Sequence, residues 1–423
     1  MTMKNIRLLE KIRKFFIPDP MPIPKHIAIN LKDHTGIEKE TIITFSTQNW
    51  ADLWTRKQRF SLQFARQGNR VVYIETQFHW VSYFLQFKTQ WRRIFLFLTG
   101  FRKVEENLYI YTPPILFPAF QIFPSIAKFN NVILAFFVKR EMIKHQMTEP
   151  VLWMYTHFNK PLVKKLKSKK VLYECVDDYS EAKGLIKKET VIKQEKETLK
   201  QSSAVIVTAD SLKPKMLEEN NNVHIISNAA NIAHFKKAYN SVLSEPDEYK
   251  SIQRPRLLFI GALQYWVDQE LIACLAESHP EWQILFVGPV SVSTKRLNNF
   301  KNIHLLGRKD YDDLPNYLAH SDIALNPYKV DGVAEGCSPL KLYEYLAAGL
   351  PVVSTEMPEV RKFEGIVKVA ENYNEFIDAV DEFLSMDKQS LDNIKAKSVE
   401  ISTLHSWENR FKKVETVLQE VLS

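Results

Sequence analysis

The chain is poor in cysteine. Three residues, Cys175, Cys274 and Cys337, are too few and too scattered for a disulfide framework or a zinc site, which fits a reducing cytoplasm. Long hydrophobic runs are lacking as well: no stretch approaches the ~20 apolar residues of a membrane-spanning helix. The opening Met1–Arg7 leads into no extended apolar core, so no signal peptide is expected. There is no internal repeat and no low-complexity tract. The turn after the first apolar strand, Ser46-Thr47-Gln48-Asn49-Trp50, holds no glycine, which excludes a dinucleotide fingerprint there.

Against these absences stand ample core-forming residues and a surplus of positive charge. With 423 residues, 45% hydrophobic and 25% charged, the composition is globular and the length suits two domains better than one. A formal net charge of +8 calls for an anionic partner: nucleic acid, acidic lipid or a phosphorylated substrate. The basic residues follow no known nucleic-acid-binding motif, so no nucleic acid is expected.

Strand and helix alternate along most of the chain. Thr41–Ser46, Val71–Glu75, Val151–Tyr155, Val171–Val176, Ala204–Thr208 and Val223–Ile226 read as buried strands with helices between them. The first helix is expected from about Asp52 to Gln67. This order points to a parallel, doubly wound α/β sheet. Residues 241–255 are polar and turn-prone and mark a linker. The pattern then restarts, with strands at 256–261, 282–288, 303–308 and 323–327 and a short one beginning Pro351-Val352-Val353. Residues 372–423 read as helical, with Ser406 capping a last helix from Trp407 to Leu422. The expected organisation is therefore a basic, proline-broken segment at 1–40, a first Rossmann-like domain at 41–240, the linker at 241–255, a second Rossmann-like domain at 256–403 and a terminal helix at 404–423.

Three regions carry candidate chemistry. Ser338–Thr355 reads as loop, helix, tight turn and strand: Pro339 suits a helix start, Ser338 a cap, and Gly349 a stop. Lys341 and Glu344 share one face of that helix, either as a surface ion pair or as an anion-plus-hydroxyl site beside the positive helix N-terminus. His157 and the pair Asp177 and Asp178 follow apolar strands, where ligands collect in open α/β sheets. The bland alternatives are a loop histidine and, for Asp178, a helix cap. Finally, residues 3–17 and 78–104 mix Lys and Arg with Phe, Trp and Tyr, and a further Phe-rich stretch spans 117–138. Such stretches serve as core helices, as membrane-surface helices or as nucleic-acid stacking platforms.

Two Rossmann-like halves, a mid-chain linker and a terminal helix resemble the GT-B glycosyltransferases. Leu258-Phe259-Ile260-Gly261-Ala262-Leu263, the stretch from Leu306-Gly307-Arg308 to Asn326-Pro327, and Ser338-Pro339-Leu340-Lys341 through Glu344 to Gly349-Leu350-Pro351-Val352 are similar to the donor half of glycosyltransferase family four. The N-terminal likeness is looser, through Tyr173–Tyr179 and Ile225–Asn231 with Phe235. The resemblance implies GT-B architecture, with two Rossmann-like domains facing a central cleft. It implies a retaining, metal-independent transfer of a hexose-type sugar from a nucleotide diphosphate sugar, with a UDP-sugar foremost and no cofactor or metal site. Gly261, Arg308, Glu335, Gly336, Ser338, Pro339, Leu340, Lys341 and Glu344 are then donor-binding. Within that set Glu344 holds the ribose hydroxyls, Lys341 and Arg308 neutralise the diphosphate, and Glu335 and Gly336 approach the sugar. Asp177, Asp178 and His157 are the catalytic candidates, and Tyr179 and His157 line the acceptor side.

The sequence departs from the family pattern at several places. Ala262 and Asp268 stand where basic residues are usual. Glu335 and Glu344 are one residue further apart than usual. Asn228-Ala229-Ala230-Asn231 replaces Asn-Gly-x-Asp, and Gln48-Asn49-Trp50 replaces a glycine-rich loop. The expected acceptor is a lipid-linked saccharide or cell-surface polysaccharide. The expected location is cytoplasmic, peripheral at the inner face of the membrane, with anionic lipid as a partner. A GT-B sugar-nucleotide epimerase and a catalytically weak GT-B assembly partner are the alternatives.

Overall fold

The computed structural model describes residues 14–24, 27, 36–181, 187–330 and 335–423. Residues 3–13 of the basic N-terminal segment lie outside that set, and 18–24, with its prolines, forms neither helix nor strand. The chain divides into two compact units. One comprises the chain up to Val207 with Leu212–Ile226 and Phe411–Ser423; the other comprises Thr208–Ser211 with Ser227–Arg410.

The first unit holds an eight-stranded sheet: β1 (Thr41–Phe45), β2 (Arg70–Ile74), β3 (Arg102–Glu105), β4 (Leu108–Tyr111), β5 (Val151–Met154), β6 (Lys170–Cys175), β7 (Ala204–Val207) and β8 (Val223–Ile225). Their order is β3-β4-β2-β1-β5-β6-β7-β8. All neighbours pair in parallel except β3 with β4. The strand order reverses between β1 and β5, and the carboxyl ends of strands at such a point form a natural crevice. The inner strands are buried on both faces, as continuous apolar runs in parallel sheets must be.

Helix α1 (Arg56–Arg66) follows β1, shorter at its start than the sequence pattern suggests. Thr55 precedes it, and its amide donates to the Gln58 carboxamide at 3.2 Å. Nearly all of α1 is buried, Arg56, Lys57 and Arg59 included. Arg56 forms an ion pair with Glu174 of β6, both side chains 1% exposed or less. The Trp153 indole donates to the same carboxylate at 2.7 Å. Short helices α2 (Trp80–Leu85) and α3 (Arg93–Leu98) and the long α4 (Pro124–Lys144) precede β5. Next come α5 (Lys160–Lys165), α6 (Lys188–Leu199) and α7 (Leu212–Leu217).

The second unit has a six-stranded, all-parallel sheet: β9 (Arg256–Ile260), β10 (Gln283–Val287), β11 (Ile303–Gly307), β12 (Ile323–Asn326), β13 (Val352–Thr355) and β14 (Val367–Ala370), in the order β11-β10-β9-β12-β13-β14. Its switch point lies between β9 and β12. Helices α8 (Gln269–Ser278), α9 (Leu340–Ala347), α10 (Tyr373–Ser385) and α11 (Lys388–Ser402) pack around it. The last helix, α12 (Trp407–Leu422), starts where Ser406 accepts the Asn409 amide at 3.2 Å. Its Phe411 ring lies 4.7 Å from that of Phe64 on α1, within the first unit. No described helix is long and apolar enough to cross a membrane, and the three cysteines form no disulfide.

Candidate functional site

In the second unit, the donor-type residues gather at the carboxyl edge of the sheet. Gly261, Gly288 and Gly307 stand at the ends of three adjacent strands. The Gly261 amide donates to the Val287 carbonyl at 2.9 Å, and the Gly288 amide to the Gly307 carbonyl at 2.9 Å. A Cβ on Gly288 would lie 2.0 Å from the Gly261 carbonyl oxygen, so only glycine allows the two ends this close. Arg308, exposed, follows directly.

Helix α9 is pinned to the same edge. The Tyr345 hydroxyl accepts the Ile260 amide at 2.8 Å, one residue before Gly261, and Tyr345 is wholly buried. Lys341 and Glu344 on this helix form an ion pair at 2.8 Å, with side chains only 17% and 10% exposed. The pair is therefore not an ordinary surface one. Two partly buried charges held together at a helix start can each be turned to a ligand that supplies the opposite chemistry.

The structure corrects the expected start of this helix. Pro339 occupies the cap position and Ser338 does not cap the open amides. Ser338, 2% exposed, is used inward: its hydroxyl lies 3.1 Å from that of Tyr343, and its carbonyl accepts from the Asn228 side chain at 2.7 Å. Leu340 and Lys341 open the helix proper. Gly336 is buried and Glu335 exposed, so the segment before α9 presents the acid to solvent.

Two departures from the family pattern have physical accounts. Asp268 caps α8, accepting the amides of Glu270 and Leu271 at 3.1 and 3.2 Å, and receives the Tyr373 hydroxyl at 2.9 Å. Where the family has a base, this chain uses an acid to hold a helix. Asn231 likewise caps the short helix Ile232–Phe235 through the His234 amide.

In the first unit, a small cavity of about 160 Å³ opens at the carboxyl ends of β1, β2, β5 and β6. Its walls include Ser46, Thr47, Gln77, Tyr155, His157 and Tyr179. The glycine-free loop after β1 is held by side chains instead. The Tyr73 hydroxyl donates to the Gln48 carbonyl at 3.1 Å, Arg93 reaches the Asn49 carboxamide at 3.1 Å, and the Trp50 amide donates to Glu75 at 3.1 Å. His157 is 2% exposed, and its Nε2 has no hydrogen-bond partner among the described residues. Burial, with Lys215 adding repulsion, lowers its pKa from 6.5 to about 4, so the ring is neutral at physiological pH. The Tyr179 ring lies 5.5 Å away, and its hydroxyl donates to the Tyr155 carbonyl at 3.1 Å.

The two adjacent aspartates differ sharply. Asp178 Oδ1 accepts the Ser180 amide at 2.9 Å and hydroxyl at 2.6 Å, and pairs with Lys215 at 2.9 Å. Burial alone would raise its pKa, but these partners bring it below the usual value. Asp178 thus holds the short turn Tyr179–Glu181; α6, the next α-helix, starts only at Lys188 and has no side-chain cap. The Asp177 carboxylate has no hydrogen bond or ion pair among the described residues, and burial raises its pKa, with Lys57 partly offsetting. Lys57 is itself buried on α1, which lowers its pKa to about 8. Lys57 and Lys215 escape sequence reading because their partners lie far along the chain; Tyr345 reads as an inward-facing helix residue, but its bond to the end of β9 does not show. The only trace is the unusual Arg56-Lys57 pair inside an otherwise buried helix. Among the described residues no cluster of three or more His, Cys, Asp and Glu side chains suits a metal ion.

Residues 254–386, essentially the second sheet and its helices, match the family described as glycosyl transferases group 1. TuaH of Bacillus subtilis (strain 168), described as a teichuronic acid biosynthesis glycosyltransferase, is 28% identical over 233 residues, covering 50% of this chain and 57% of the relative. The chain thus spans little more than half the length of that curated relative. Among solved structures, sucrose-phosphate synthase from Thermosynechococcus elongatus is 13% identical with a TM-score of 0.67, over 91% of this chain and 99% of that one. Alr3699/HepE from Anabaena, solved with UDP and glucose, is 12% identical with a TM-score of 0.62, over 90% and 100%. The fold is that of the GT-B glycosyltransferases, and the resemblance read from the donor-type residues is borne out.

Proposed function

We propose that this chain is a retaining glycosyltransferase. It moves a hexose-type sugar from a nucleotide diphosphate sugar, a UDP-sugar foremost, to a lipid-linked or cell-surface polysaccharide. One observation carries the reading: α9 is locked by Tyr345 to the end of β9, so the partly buried Lys341–Glu344 pair sits beside Gly261 at the sheet's switch point. Donor binding exchanges that ion pair for two better-matched contacts. Lys341, with Arg308 and the α9 N-terminus, meets the diphosphate, and Glu344 accepts the two ribose hydroxyls. Stabilising the departing diphosphate is the larger share of catalysis in such a transfer, and these groups supply the charge without calling on a metal. As the new glycosidic bond forms and the bond to diphosphate breaks, Asp177 takes the acceptor hydroxyl proton. Neutral His157 donates or accepts a hydrogen bond on a sugar hydroxyl. The group 1 match over 254–386 supports the donor half, and the TuaH likeness supports an envelope polysaccharide as the product.

The same reading places the protein on the inner face of the membrane. Support comes from α4, where Phe129, Val132, Phe136 and Ile143, 54%, 37%, 64% and 69% exposed, form one solvent-facing stripe. Trp80, Phe84, Leu85 and Leu98 on α2 and α3 are exposed as well. Exposed apolar groups interleaved with basic residues suit an interfacial surface on anionic lipid.

The test is a donor-hydrolysis screen of the wild type and Lys341→Ala with UDP-, GDP- and ADP-sugars, with the anomeric configuration followed by NMR. The wild type is expected to release a nucleoside diphosphate and a sugar of retained configuration, and Lys341→Ala to lose at least ~100-fold. Epimerised donor, or unchanged turnover in the variant, overturns the reading.

A further inference from the structure

A cavity of about 980 Å³ in the first unit lies among α4, α5 and α6, outside the donor residues. Its rim is basic: Lys128 and Lys139 come from α4, Lys160, Lys164 and Lys165 from α5, against one acid, Glu197 of α6. Lys160 pairs with Glu197 at 3.4 Å. The other four lysines have no carboxylate partner among the described residues. Like charges gathered this way repel, and Lys160 and Lys164, four apart on one helix face, disfavour their own helix. An anion in the cavity would relieve both costs. The volume is at the upper end of the ~300–1,000 Å³ typical of small-molecule sites, more than one sugar ring requires.

A second observation connects this cavity to the chemistry. His157 and Phe158 line both the lysine cavity and the small cavity at the strand ends. His157 is buried with an unpartnered Nε2. A ligand held by the lysines therefore reaches a neutral hydrogen-bonding ring at the wall shared with the strand-end site. We infer that the acceptor is an anionic oligosaccharide. It is held through carboxylate or phosphate groups by the lysine cavity, with the hydroxyl to be glycosylated delivered past His157. This rests on the glycosyltransferase reading and narrows its acceptor to a charged one. Neutral saccharides would bind without the electrostatic contribution and would be poor acceptors.

The experiment is calorimetric titration of the full chain, with UDP saturating so that the donor residues are occupied. The probes are tetragalacturonate, inorganic pyrophosphate and neutral maltotetraose, at low and high salt. At least one anionic probe is expected to bind, more weakly at high salt, and maltotetraose at least ~10-fold more weakly than that probe. In Lys164→Glu/Lys165→Glu, two exposed positions, affinity for the anionic probe is expected to fall at least 10-fold while donor hydrolysis stays at the wild-type rate. Binding of tetragalacturonate alone assigns the cavity to sugar carboxylates, and binding of pyrophosphate alone to a phosphorylated carrier end. Binding of neither anion, equal binding of maltotetraose, or unchanged anion affinity in the variant overturns the inference. Absent donor hydrolysis in the wild type would instead count against the glycosyltransferase reading.

Discussion

Asp177 and Asp178 are neighbours in sequence but not in chemistry. Asp178 spends its carboxylate on Ser180 and Lys215, whereas Asp177 keeps its own unengaged and weakly acidic. Asp177→Asn is therefore predicted to lower turnover by about 100-fold or more with little change in melting temperature. Asp178→Asn is predicted to keep most activity but lose about 1.5–3 kcal/mol of stability, the usual range for a hydrogen bond to a charged group. Turnover and thermal unfolding of each variant check the split, and a reversed pattern would exchange their roles. Sequence reading could find the pair, because acids after a buried strand are conspicuous. Of what separates them, only Ser180 lies nearby in the sequence; Lys215 and Lys57 lie far along the chain on other helices. His157 adds a pH signature. Folding holds its ring neutral down to about pH 4, whereas the unfolded ring takes up a proton near 6.5. Between these values the unfolded state binds more protons, so stability falls as pH drops through that window, by about 3 kcal/mol in all. Denaturant titrations from pH 4.5 to 7 should show this slope in the wild type and a shallower one in His157→Gln. Equal slopes would mean that the ring is not held neutral.

At the scale of elements, the strands were legible and several of their surroundings were not. Parallel strands buried on both faces show as short apolar runs, so most strands of both sheets show in the sequence, whereas β4 (Leu108–Tyr111) and β14 (Val367–Ala370) were not read there. The antiparallel partner β3, Arg102-Lys103-Val104-Glu105, is polar and half-exposed and offers no such run. Helix α1 begins Arg-Lys-Gln-Arg and looks like a surface helix. It is buried because Glu174 on β6 supplies the counter-charge to Arg56. Breaking such a buried pair costs about 3–5 kcal/mol, so the strands fix a helix that its own residues would not. The row of strand-end glycines was visible, but its reason was not. Gly288→Ala puts a methyl group against the Gly261 backbone, which cannot yield as a side chain would. The ends of β9 and β10 must then part, moving the turn beside α9. The expected result is a donor KM raised about 10-fold or more, with the strands themselves intact by circular dichroism. An unchanged donor KM would show that the close approach has no part in donor binding.

For the molecule as a whole, the question is what its surplus positive charge meets. The first unit carries apolar stripes and a lysine-lined cavity on the same long helix, α4, and the apolar residues of that helix fall on two faces. Ala127, Leu134, Val138 and Met142 go inward; Phe129, Val132, Phe136 and Ile143 go outward. This is why α4 showed in the sequence only as a Phe-rich stretch without helical periodicity. Under the proposed membrane location the outward face enters the lipid interface, and the basic residues add an attraction that fades within a Debye length of ~8 Å at physiological salt. The two contributions can be separated. Phe129→Ser/Phe136→Ser removes two half-exposed rings whose remaining apolar surface is worth about 2–4 kcal/mol on insertion, roughly a 30-fold or greater loss of binding to anionic vesicles. That loss should persist at high salt. Lys164→Glu/Lys165→Glu, by contrast, should weaken vesicle binding modestly and only at low salt, since charges beside the cavity act at a distance. Co-sedimentation with vesicles of phosphatidylglycerol and phosphatidylcholine at two salt concentrations reads both effects. Undiminished sedimentation of the phenylalanine variant at both concentrations would remove α4 from the membrane and leave its outward stripe without that role.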